Sequence, residues 1–340
     1  MKILLTGNAG FIGFHIAKCL AEAAYELITI DSINDYYDVA LKSARLTELG
    51  IIPDIPEPEK TVTSTRYPSL QFRKISMSDM DSLRQIFDEE KPEIICHIAA
   101  KPGVRCSIEH SELYLQNNVV AFFNLLCCRH HAVQHLIYAS SSCVYGANAQ
   151  VPFSPEQHTD AQASFYAATP KNDEIFAAAY SLLYQIPTTA LRFFTVYGPW
   201  GRPDMAPFKF TRAILERKPL DLYNNGNQER DFTYIDDIVF GVVKVIEKGF
   251  LFRENGNFQN IYNIRGSHPV KLMDFIDIQE KTIGKKAKIH PMPMQSGDVQ
   301  RTWADTEPLK RNYGASPKIS VEEGIPRFIQ WYGSYYANGK

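Results

Sequence analysis

Apolar and polar positions alternate in blocks along the first half of this chain. Four short apolar runs, Lys2–Thr6, Leu27–Asp31, Glu93–Ile98 and Leu136–Ser140, read as buried strands. Between them, Phe11–Ala23, Met80–Glu90 and Tyr114–His130 carry apolar residues at helical spacing. Strand and helix in alternation predict an α/β fold, a doubly wound parallel sheet with helices on both faces. Residues 50–68, rich in Pro and Thr and without periodicity, read as a surface excursion after the second strand. Beyond residue 190 the rhythm loosens. Helical pieces at Phe208–Arg217, Leu272–Thr282 and Val321–Tyr332 mix there with short strands and turns, which predicts a smaller α+β domain.

The first strand runs into Thr6-Gly7-Asn8-Ala9-Gly10-Phe11-Ile12-Gly13, which opens the first helix. Glycines there allow a tight turn and a close backbone approach to a pyrophosphate, and the free N–H groups of the helix start then face the phosphate. Asp31 ends the second strand, at the offset of a ribose-binding acid. A carboxylate in that place repels a 2′-phosphate, so NAD is favoured over NADP. A Rossmann-type NAD-binding domain is therefore expected over residues 1–190, with 230–262 returning to it. Residues 191–229 and 263–340 are left for the second, ligand-binding domain.

The bulk properties narrow the partners. The 340 residues suffice for two packed subdomains. A net charge of -2 gives no reason to expect a nucleic acid partner. The six cysteines form no Cys-x-x-Cys pair and the histidines fall at no ligand spacing, so no metal is expected. No apolar run approaches the roughly 20 residues of a membrane helix, and the start before Gly7 is too short for a signal peptide. A cytoplasmic protein in a reducing compartment is the expectation.

Further segments follow in order: His97-Ile98-Ala99-Ala100, Asn117-Asn118-Val119, Tyr138 to Gly146, Tyr166-Ala167-Ala168-Thr169, Arg192 to Pro199, Trp200 to Met205 and Arg230 to Asp237. With the glycine spacing at 7, 10 and 13, this ordered set resembles the extended short-chain dehydrogenases, and among them the UDP-glucuronate 4-epimerases. The resemblance spans nearly the whole chain and is poorest over residues 45–75. It implies a retained NAD that takes hydride from C4 of a UDP-sugar and returns it to the other face of the 4-keto sugar. It also implies Tyr166 as acid/base, with Ser141 bonded to the same oxygen. Besides the Gly7–Gly13 loop and Asp31, it implies cofactor contacts from Asn34, Ser76, Met77, Ile98, Ala99, Ala100, Lys101, Asn117, Tyr166 and Phe193.

On the substrate side the resemblance implies contacts from Arg105, Ser141, Ser142, Cys143, Thr195 and Arg202, with Ser142, Thr195 and Arg202 near C6 of the sugar, Arg230 on the diphosphate, and Phe208 and Tyr223 at the uracil. For Phe208 and Tyr223, core packing fits as well. A 4-keto uronate is a β-keto acid that loses CO2 readily, so its carboxylate needs several fixed donors. Cys143 stands where dehydratases and decarboxylases of this branch tend to carry an acid, which argues against dehydration; a thiol is also a weak donor. The resemblance further implies a homodimer through helices near 112–130 and 170–186. Phe122, Leu125 and Leu126 with Phe176, Tyr180 and Leu183 suit its apolar faces, and suit a core equally.

The departures are specific. The family's Tyr-x-x-x-Lys reads here as Tyr166 followed by Pro170, and Lys171 comes one residue late. Proline lacks an N–H and its ring crowds the carbonyl four residues back, at about 3 kcal/mol inside a helix. Thr169-Pro170 looks like a cap with a first-turn proline, so the helix is expected to begin or kink there, a change that swings Lys171 inward. Lys101, where relatives usually have Gln, is a second candidate ammonium, and Ser76 replaces an adenine-binding Asp. Pro102 replaces a small residue beside the sugar site. Two alternatives stay open: a nucleotide-sugar epimerase or oxidoreductase with another substrate, and a catalytically impaired protein that binds NAD and a nucleotide sugar.

Overall fold

The computed structural model describes residues 1–52, 60–128, 133–146, 150–252, 256–266, 269–293 and 301–338. Its centre is a sheet whose strands we label β1 (Lys2–Thr6), β2 (Glu26–Asp31), β3 (Val62–Thr63), β4 (Leu70–Lys74), β5 (Ile94–His97), β6 (His135–Ser141) and β7 (Thr188–Phe193). The spatial order is Gln259–Ile264, β7, β6, β5, β1, β2, β4, β3. All neighbours pair in parallel except β3 with β4. The order reverses between β1 and β5, so a crevice opens beyond their carboxyl ends, the usual ligand position of such sheets.

Side-chain alternation gives the sheet two packed faces. Ile3 and Leu5 of β1 join the larger apolar cluster with the helices Phe11–Glu22 and Ile235–Lys248. Leu4 points the other way, into a cluster with Leu83, Phe87 and Phe122. The predicted elements match closely, with Met80–Glu90 helical as expected. The expected helix over Tyr114–His130 is instead a short helix Ser111–Tyr114, a π turn Leu115–Val120 and a helix Ala121–Cys127; residues 129–132 lie outside the described residues. Of the 50–68 excursion, Val62–Thr63 pairs with β4, and residues 53–59 lie outside the described residues.

A helix at Val39–Glu48 has no counterpart in the sequence reading. Its buried face carries Lys42 and Arg45 beside Leu41 and Leu46, so an apolar period does not show. Beyond β7, Thr195–Tyr197 pairs in parallel with Phe232–Tyr234 and Pro219–Tyr223 with Lys288–Met292, and residues of the first three of these strands line the crevice. Among the described residues, no helix is long and apolar enough to cross a membrane.

Candidate active site

A cleft of about 950 Å³ runs from the glycine loop, across the ends of β1, β5 and β6, to the segments after β7. Of the residues expected to bind cofactor or substrate, all but Asn8, Ala9 and Phe208 line it. Phe208 is the clear correction. It is buried among Phe328, Tyr332 and Tyr336, away from the cleft, because its side of the helix Ala206–Glu216 faces the C-terminal helix. Asn8 and Ala9 lie under the loop rather than on the cleft surface, and the Ala9 N–H donates to Asp31 at 3.0 Å.

The glycine loop has the build of a phosphate cradle. Gly7 holds φ at +81°, and a Cβ there would come within 2.9 Å of the Ala99 backbone. A Cβ on Gly13 would run into the Gly7 carbonyl oxygen. The helix Phe11–Glu22 begins at Gly10 with no side chain capping it, leaving its first N–H groups for an anion. At the far end of β2, the Asp31 carboxylate accepts from the N–H groups of Ala9 and Ile33. Lys42 donates to the Asn34 side chain and carbonyl; burial lowers its ammonium to about 8. These residues fit a dinucleotide.

Tyr166 and Ser141 meet on the opposite wall. Burial pushes the Tyr166 phenol up to about 12; a hydrogen bond with Ser141 and the charge of Arg202 pull the other way. The Ser141 hydroxyl also accepts from the Cys143 N–H at 3.2 Å. Burial raises the Cys143 thiol too, so it stays a neutral, weak donor. Arg202 is gripped by both oxygens of Asp204, at 3.0 and 2.5 Å, and lies 6.0 Å from the Tyr36 ring. Lys101 stands 5.1 Å from the same ring. At the outer end, the Arg105 guanidinium lies 4.9 Å from the Tyr223 ring. Arg230 lies on the strand Glu229–Arg230.

The helix carrying Tyr166 corrects the expectation about Pro170. One unbroken helix spans Phe165–Tyr184 with the proline inside it, started by Ser164, whose hydroxyl accepts from Ala167. It neither begins at residue 170 nor turns Lys171 inward: Pro170 lines the cleft and Lys171 does not. The carbonyl of Tyr166, which would have accepted from the N–H that proline lacks, accepts instead from the Thr169 hydroxyl at 2.9 Å. That hydroxyl in turn accepts from the Asn118 amide, and Asn118 also clamps both the N–H and the carbonyl of Lys101. Sequence reasoning named Asn117, but the buried neighbour Asn118 ties the two walls together. It also missed Tyr36 and Asp173, both on the cleft surface.

Among the described residues, no three His, Cys, Asp or Glu side chains are grouped to hold a metal. The residues named for the dimer faces divide: Leu183 is exposed, and Phe176 and Tyr180 pack partly buried against the core. Phe122, Leu125 and Leu126 are buried in the core, whereas Phe123, Ile175, Leu182 and Leu183 are exposed.

Comparison with known proteins agrees with this geometry. The chain is 40% identical to a probable UDP-glucuronate 4-epimerase of Rhizobium meliloti, over 99% of this chain and 98% of that one. It is 43% identical to the protein CapI of Staphylococcus aureus over 99% of each chain. Its fold superposes, with a TM-score of 0.86 and 31% identity, on the UDP-glucuronic acid 4-epimerase of Bacillus cereus solved with UDP-glucuronic acid and NAD; the match covers 99% of this chain and 100% of that one. The model of the NAD dependent epimerase/dehydratase family matches residues 3–264. The chain belongs to the NAD dependent epimerase/dehydratase family.

Proposed function

We propose that this chain interconverts UDP-glucuronate and UDP-galacturonate by epimerisation at C4, holding its NAD throughout. One observation carries the reading: Tyr166 and Ser141 share the cleft wall that faces Thr195 and Arg202, with a phosphate cradle at the other end. Bound NAD supplies the hydride acceptor and donor. The protein has four further tasks. Tyr166 takes the proton from the 4-hydroxyl and returns it. Ser141 holds that oxygen by a hydrogen bond. Arg202, Thr195 and Ser142 keep the carboxylate out of the geometry that releases CO2. Arg230 and Arg105 hold the diphosphate, and Tyr223 lies at the uracil end.

Residues 1–190 with 230–262 form the cofactor half in this reading, and 191–229 with 263–340 the nucleotide-sugar half. The exposed apolar stripe on the helices around Phe123 and Leu183 is the seam of a homodimer. A cytoplasmic site and a role in polysaccharide supply complete the reading. A second reading is favoured by Pro170 and the outward Lys171: a protein that binds NAD and the sugar nucleotide with little turnover. Product analysis after incubation with UDP-glucuronate, beside a Pro170→Lys variant, decides. UDP-galacturonate from the native chain supports the first reading. Product from the variant alone supports the second. Product from neither refutes the substrate assignment.

A further inference from the structure

The helix Phe165–Tyr184 presents a row of residues to the cleft that continues past the proline. At about 100° per residue, Asp173 projects about 20° from Tyr166, against about 40° for Pro170 and about 140° for Lys171. Asp173 lines the cleft and is only 6% exposed, and its Oδ1 has no hydrogen-bond partner among the described residues. Four acids line this cleft, and the other three are engaged. Asp31 accepts from two backbone N–H groups, Asp204 pairs with Arg202, and Asp221 pairs with His290.

A buried carboxyl group with an oxygen left over is costly unless a ligand completes it. A dinucleotide carries two ribose diols, and the NAD-binding side of this cleft carries two carboxyl groups, Asp31 at one end and Asp173 at the other. Two hydroxyls side by side match two carboxyl oxygens in number and spacing. We propose that Asp173 binds the hydroxyls of the nicotinamide-side ribose of the dinucleotide, and so supplies from the next turn of the helix a polar contact that Pro170 cannot make. The inference rests on the reading of the cleft as an NAD site. Burial and the neighbouring Glu174 hold the Asp173 carboxyl well above the usual carboxylate range, so in the ligand-free cleft it is a neutral acid able both to donate and to accept.

Binding of NAD+ and of AMP, which lacks the second ribose, is measured by equilibrium dialysis on the native chain, Asp173→Asn and Asp173→Ala. Loss of the hydrogen bonds is expected to weaken NAD+ about tenfold in Asp173→Ala. Asp173→Asn keeps part of the affinity, and AMP binds all three proteins alike. Because Oδ1 is unpaired, neither variant should lower the melting temperature of the nucleotide-free protein. A residue kept only for packing would lower it. Unchanged NAD+ binding in Asp173→Ala overturns the inference, as does an equal loss for AMP. Failure of the native chain to bind NAD+ overturns the cofactor reading itself, and is seen without any variant.

Discussion

Replacing Thr169 with valine tests how this helix tolerates its proline. Valine has nearly the shape of threonine, so no cavity forms; only the hydroxyl is removed. That hydroxyl is buried, donates to the Tyr166 carbonyl at 2.9 Å and accepts from the Asn118 amide at 2.9 Å. Its loss leaves a helix carbonyl and one amide hydrogen without partners, and each such buried group costs about 1–3 kcal/mol. Asn118 keeps its bond to the Lys101 carbonyl through its other amide hydrogen, so two groups are orphaned and the sum is about 2–6 kcal/mol. The diagnostic step is the same change in a Pro170→Ala background, where the N–H of residue 170 returns to the Tyr166 carbonyl. There Thr169→Val should cost about 1–3 kcal/mol less, since only the Asn118 hydrogen is orphaned. Urea unfolding at a fixed excess of NAD, with the slope checked for constancy, gives the four stabilities of the cycle. Equal costs in both backgrounds, within about 0.5 kcal/mol, would refute the idea that the hydroxyl replaces the missing N–H.

Three further expectations follow from the site and the packing. Tyr166→Phe should lower turnover of UDP-glucuronate by about 10²-fold or more while leaving bound NAD unchanged, as read by product chromatography and nucleotide content; turnover near the native rate would remove Tyr166 from the proton path. Burial lowers His97 to about 4, while an unfolded histidine titrates near 6.5, so between these limits the unfolded chain takes up a proton that the folded chain refuses. The stability of the native chain relative to His97→Gln should therefore fall by up to about 1.4 kcal/mol for each pH unit lowered through that window, and parallel urea midpoints for the two proteins would contradict it. Leu183→Glu places a charge on the exposed stripe and should shift the mass measured by light scattering from dimer to monomer; a mass unchanged by the substitution would rule out that stripe as the seam.

Local patterns made much of the fold legible. The buried strands of the sheet are apolar runs, and the glycine loop combines a turn, a close backbone contact and a helix start within Thr6–Gly13. What escaped depends on partners distant in sequence or on polar residues turned inward. The helix Val39–Glu48 hides its period because Lys42 and Arg45 face the interior. The proline misled because its first-turn preference is a local rule. Ser164 caps the helix earlier, and a threonine hydroxyl repairs the gap. Phe208 and Phe122 show a third limit: an aromatic residue at helical spacing reads the same whether it meets a ligand, a partner chain or its own core. Asp173 was skipped because an acid seven residues beyond Tyr166 has no motif to announce it, only a direction on the helix.

Arg45 has a consequence for how the cleft can move. Its fully buried guanidinium donates to the carbonyl of Ala9 in the glycine loop and to those of Trp200 and Gly201, next to Arg202. One side chain thus rivets the glycine loop to the segment just before Arg202. Widening the cleft at this corner strips three carbonyls of their donor in a place water does not reach. The corner therefore opposes opening, in contrast to the exposed rim at Arg105. On the proposed reading, the cofactor held against this corner is the partner that is kept, and the sugar nucleotide at the rim is the one that is exchanged.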